Sequence, residues 1–167
     1  GRDRGAAIDH WQIGVEISGR GSMNMIDSNS GASAQIDRFI HDGLPPVSQW
    51  PAFQYPVSNE TPPTHLNLVV ESLDKASSKG WADRPLLRSP KIVLSYNDVL
   101  DRVNRIAQVL TDDLKLVPGN RVLLRGSNSI GLCLSWLAVV KAGLIAVSTM
   151  PLLRASELGD IIAKAQP

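Results

Sequence analysis

Two short strand-like runs, Arg121–Arg125 (RVLLR) and Leu144–Ser148, flank an almost unbroken apolar stretch, Ile130–Val140, which Gly143 closes. No other feature restricts the fold as strongly. A helix that is apolar all round must be buried all round. Two strands joined by one helix form a βαβ unit, expected to be parallel and right-handed. The same stretch is no membrane span. Lys141 and Gly143 interrupt it, and its helical part is about half of the ~20 residues a span needs.

The residues on either side extend this unit. Leu66, Val69, Val70, Leu73 and Ala76 recur at helical spacing, with Gly80 as a stop. Arg84–Arg88 and Lys91–Ser95 are extended runs around Ser89-Pro90 and predict a hairpin. Ser95 lies three residues before Asp98, a capping-box spacing. Tyr96, Val99, Leu100, Val103, Ile106, Ala107, Leu110 and Leu114 then trace one face of a long helix. Asp101, Arg102, Arg105 and Asp112 lie off that face, and Pro118-Gly119 ends the helix's exit loop. Beyond the βαβ unit, Leu158, Ile161, Ile162 and Ala165 predict a last amphipathic helix. The expected fold class is α/β: a β-hairpin plus a parallel βαβ unit with flanking helices. No strand follows the last helix before Pro167, so an unfinished sheet with an uncovered apolar face is expected.

Charge and proline divide the chain. Residues 1–64 carry four basic and seven acidic side chains and no Lys; residues 65–167 carry thirteen and nine. Six of the eleven prolines fall between Pro45 and Pro63. Three segments are therefore expected. Residues 1–34 read as a disordered leader or appended sequence, with Met23 and Met25 as plausible true starts. Residues 35–64 form a Pro-rich wrapping segment with Trp50, Phe53 and Tyr55 as anchors. Residues 65–167 form an incomplete α/β subdomain. The formal net charge of +1 gives no electrostatic argument for a nucleic-acid partner, and no apolar centre of a signal peptide is present. One cysteine cannot close an internal disulfide, so a reducing, cytoplasmic setting is expected. Asn59-Glu60-Thr61 matches a glycosylation acceptor by chance in such a setting.

Residues that chemistry could use are few. Gly126-Ser127-Asn128-Ser129 follows a strand and opens a helix, a place where backbone N–H groups can cradle phosphate. Leu132-Cys133 follows Gly131 where a Walker A loop needs Lys and Ser or Thr. The stretch is therefore read as a plain strand-to-helix turn capped by Asn128 or Ser127. Cys133, inside the apolar helix, is expected to be a buried, inert thiol. His10, His41 and His65 lack metal-ligand spacing, and Asp112-Asp113 point apart on a helix. No catalytic constellation and no metal site is expected.

The runs SYNDVLDRVNRIAQVL, LVPGNRVLLRGSNS and LAVVKAGLIAVSTMPLLRASEL, in this order, resemble the N-terminal region of the adenylate-forming acyl-CoA and aryl-CoA synthetases. Leu44-Pro45-Pro46, Gln49-Trp50-Pro51, Leu66-Asn67 and Thr149–Arg154 resemble most the benzoate-CoA and 2-aminobenzoate-CoA ligase branch. The resemblance implies a partial N-terminal domain of a full-length, AMP-forming acid–thiol ligase using ATP, Mg2+ and coenzyme A on a small aromatic carboxylic acid. The family's phosphate loop and catalytic lysine come later in the chain, so this segment alone is expected to be inactive and to hold no cofactor. One residue is carried over: Arg154, near Pro151, as a contact to a phosphate of coenzyme A. A stand-alone, non-catalytic α/β binding module is the alternative. Neither a membrane partner nor an oligomeric state is implied.

Overall fold

A computed structural model describes residues 34–51 and 65–167. The expectations for the leader fall outside these residues, including His10, Met23 and Met25. So do Phe53, Tyr55 and Asn59-Glu60-Thr61.

The element order is α1 (Phe39–Asp42), α2 (Lys75–Ser78), β1 (Pro85–Arg88), β2 (Val93–Ser95), α3 (Tyr96–Gln108), β3 (Arg121–Arg125), α4 (Ile130–Lys141), β4 (Ile145–Thr149) and α5 (Ala155–Ala165). π-wound segments, Val70–Asp74 and Val109–Asp113, lead into α2 and continue α3. β1 and β2 form the expected antiparallel hairpin, with an irregularity between Pro85 and Leu87. β3 and β4 pair in parallel, from Arg121 opposite Ile145 to Arg125 opposite Thr149.

Helical periodicity becomes packing at the contact of α3 with α4. Val69, Leu73, Leu94, Val99, Val103, Ala107, Leu134 and Ala138 form one buried cluster. α4 lies between this cluster and the β3–β4 pair, which is why no polar stripe runs along it. Its cover is incomplete, because Trp136 remains exposed. Leu114, expected on the buried face of α3, is exposed too. It follows the π-wound end of that helix, where the turn no longer keeps the 3.6-residue period. Every residue of β3 and β4 stays at least partly exposed, and α5 buries none of its residues fully.

Local chemistry sets the element ends. Ser95 caps α3: its Oγ accepts from the Asp98 amide at 3.1 Å, while the Asp98 carboxylate accepts from the Ser95 amide at 2.9 Å. Asn67 serves two helices. Its Oδ1 accepts from the Val69 amide at 3.0 Å, and its Nδ2 donates to the Lys141 carbonyl at 3.0 Å. Close by, the Lys141 ammonium donates to both oxygens of Asp74, at 2.7 and 2.8 Å.

The segment 34–51 docks on the turn before β3. The amides of Ile36 and Asp37 both donate to the Pro118 carbonyl at 2.9 Å. The Asp37 carboxylate accepts from Asn120 Nδ2 at 2.8 Å and forms a short ion pair with Arg121. Trp50, beyond a 3-10 turn at Val47–Gln49, donates from Nε1 to the Pro45 carbonyl at 2.8 Å.

Candidate functional site

Because β3 and β4 are parallel and in register, their C-terminal ends Arg125 and Thr149 open on one edge. Ligands of parallel α/β sheets gather at this edge. Two loops meet here, 126–129 and 150–154. Arg125 joins them: its Nη2 donates to the Pro151 carbonyl at 2.8 Å and the Leu153 carbonyl at 3.2 Å. Thr149 Oγ1 donates to the Leu124 carbonyl at 3.3 Å. The second loop is thus held by strand-end side chains while its tip faces out, with Leu152 88% exposed.

Arg154 stands at the start of α5. Its amide donates to the Glu157 carboxylate at 2.8 Å. Its side chain is 85% exposed, and the guanidinium lies 3.7 Å from that same carboxylate. An exposed guanidinium on a held loop can meet a phosphate.

The turn 126–129 is a strand-to-helix turn, as expected, but its cap is a correction. Ser129, not Asn128 or Ser127, caps α4, its Oγ accepting from the Leu132 amide at 3.2 Å. The cap forms where extended backbone stops, and Ser129 is the last extended residue before Ile130.

Cys133 is a second correction. It is half-buried and lines a cleft of about 330 Å³ with Leu73, Trp81, Tyr96 and Leu137. α4 is apolar on every side, so its sequence does not reveal which face this cleft leaves open. His41 lies in a surface group with Arg38 and Asp42. Asp112 accepts from Thr111 Oγ1 at 3.1 Å. Among the described residues no group of three His, Cys, Asp or Glu could hold a metal ion, and no helix is long and apolar enough to cross a membrane.

Two arginines that organise the ends of β3, Arg125 and Arg121, do not stand out in the sequence. The only signal was a charge at each end of an otherwise apolar strand.

Two carboxylates are held below their ordinary value of 3.8. For Asp37 the Phe39 amide is the main cause, followed by Arg121 and Asn120; for Asp98 it is the amide and then the hydroxyl of Ser95. A carboxylate lowered on folding contributes stability above its unfolded value, and that contribution is lost as pH falls through the folded value. Acid titration should therefore destabilise the protein as pH falls through and below the ordinary carboxylate range. Replacing both residues (Asp37→Asn, Asp98→Asn) should flatten that dependence in chemical denaturation, whereas an unchanged slope would refute the assignment.

A family model described as AMP-binding enzyme matches residues 74–167. A carboxylic acid reductase of Mycobacterium marinum is 28% identical over 137 residues, covering 70% of this chain and 11% of that protein. Apo MatB from Rhodopseudomonas palustris is similar in structure with a TM-score of 0.56 at 25% identity, over 60% of this chain and 20% of that one. The anthranilate CoA ligase AuaEII in complex with anthranoyl-AMP gives 0.55 at 23% identity, over 62% and 20%. The N-terminal subdomain of Klebsiella oxytoca NpsA gives 0.55 at 23%, over 60% and 26%. The chain spans about a tenth of the curated relative and between a fifth and about a quarter of these structures.

Proposed function

Because the chain belongs to the AMP-binding enzyme family, we propose that it is the N-terminal scaffold of a longer enzyme that activates an aromatic carboxylate with ATP. In this reaction a carboxylate oxygen attacks the α-phosphorus of ATP. The bond to the β-phosphate's bridging oxygen breaks, releasing pyrophosphate and leaving an acyl-adenylate. The thiolate of coenzyme A then attacks the acyl carbon and expels AMP. The first step turns a poor leaving group, oxide, into a good one. Mg2+ would offset phosphate charge in such a reaction; among the described residues no group of three His, Cys, Asp or Glu could hold it.

The observation that carries this reading is the family match, which spans the hairpin, the βαβ unit and the loop bearing Arg154. The half-exposed β3–β4 pair supports it, since parallel sheets occur almost only with both faces covered. The aromatic acid and coenzyme A come from the motif resemblance. Arg154 is the residue we assign to a coenzyme A phosphate. In the longer enzyme, Arg154→Ala should raise KM for coenzyme A about tenfold, the worth of one charge-assisted hydrogen bond, and leave kcat unchanged. An unchanged KM would remove Arg154 from the site. Assay of that enzyme against a panel of aromatic acids tests the substrate class.

A second reading changes only the fate of the adenylate. The relative from Mycobacterium marinum is a carboxylic acid reductase; on this second reading a hydride donor would deliver a hydride to the activated acyl carbon, whose leaving group departs, giving the aldehyde. Acyl-CoA as the product would support the first reading, and aldehyde the second.

A further inference from the structure

We propose that Arg121 couples the docking of residues 35–42 to the C-terminal end of α5, so that the two ends of the described fold lock and release together. Its side chain is only 10% exposed. Nε donates to the Ala165 carbonyl at 3.0 Å, and Nη2 donates to the Gln166 carbonyl at 2.9 Å. Nη1 donates to the Gly119 carbonyl at 3.2 Å and to Asp37. The guanidinium also lies over the Phe39 ring, 4.4 Å from its centroid.

Each contact has a physical role. The last carbonyls of a helix have no partner within it, and a cation there also opposes the negative end of the helix dipole. Arg121 supplies both for α5. Its fork holds that direction because Asp37 grips one arm and Phe39 covers one face. When a largely desolvated cation loses its counter-charge, it turns toward water. The α5 carbonyls then lose their donors, although Asp37 lies more than 120 positions earlier in the chain than Ala165. Coupling is reciprocal, so displacing the end of α5 weakens the hold on residues 35–42.

Hydrogen exchange on the whole chain tests this. Asp37→Asn removes the counter-charge and keeps the shape. Amides in 162–166 should exchange about three- to tenfold faster, as should those in 36–39, while amides near Val99 and Val103 hold their rates. Asp42→Asn, at a surface pair with Arg38, should alter neither group. If Asp37→Asn loosens protection everywhere, Phe39→Leu, which removes only the ring face, must give the same paired increase. The coupling is refuted if 36–39 loosens while 162–166 keeps its wild-type rates, or if neither segment responds.

Discussion

Gly119→Ala is expected to destabilise the protein by about 3 kcal/mol or more and to detach residues 35–42 from the domain. Gly119 has a φ of +94°, a conformation that L side chains rarely adopt. Sterics add to this: a Cβ there would collide with the Asp37 carbonyl oxygen and come within 3.1 Å of the Gln35 Cβ. Either side can yield only by giving up hydrogen bonds. The Pro118 carbonyl holds the amides of Ile36 and Asp37, and the Gly119 amide is tied to the Gly143 carbonyl at 2.9 Å. Two other glycines separate these causes. Gly80→Ala meets only the backbone strain of a φ of +71°, with nothing within 4 Å, and should cost about 1 kcal/mol. Gly159→Ala, in α5 with open space around it, should stabilise by about 0.5–1 kcal/mol. Urea denaturation of the three variants gives the order. A Gly119→Ala protein that loses no more stability than Gly80→Ala would mean that the segment does not dock on this turn.

Asn67→Ala should cost about 2–3 kcal/mol, the next largest effect of a single side chain. The change leaves the amides of Val69 and Val70 without their side-chain acceptor. It also removes the donor to the carbonyls of Val140 and Lys141. Asn67→Asp separates the two roles, because a carboxylate still caps the helix but donates nothing to the end of α4. It should recover about half of the loss. Full recovery in thermal unfolding would show that the link to α4 contributes no stability. The Lys141–Asp74 pair spans the same junction, with Lys141 only 7% exposed, so the two contacts should be coupled.

Features governed by local periodicity were legible in the sequence. The hairpin around Ser89-Pro90, the Ser95–Asp98 capping box and the strand–helix–strand unit 121–149 each follow from residues close together along the chain. Capping was ambiguous where Ser127, Asn128 and Ser129 are all able to cap. The extended backbone of Ser129, directly before Ile130, decides among them, and residue type alone does not specify it. The contacts that organise the two edges of the sheet could not be read from a pattern. Arg125 reaches residues 26 and 28 positions away, and Arg121 reaches Asp37 at a separation of 84. Long side chains find such partners only after the fold has brought them together. The assignment of Arg154 rests on motif resemblance, since an exposed arginine at a helix start has no signature of its own in composition or period.

On the reading proposed above, this α/β unit is the platform of an adenylating enzyme, and the chemistry lies in a longer polypeptide that contains it. ATP–pyrophosphate exchange measures it most directly, run with a panel of aromatic carboxylates on the 167-residue chain and on a longer polypeptide that contains it. The longer protein should catalyse carboxylate-dependent exchange and the chain alone should not. Exchange by the chain alone, or none by the longer protein with any carboxylate, would contradict the account.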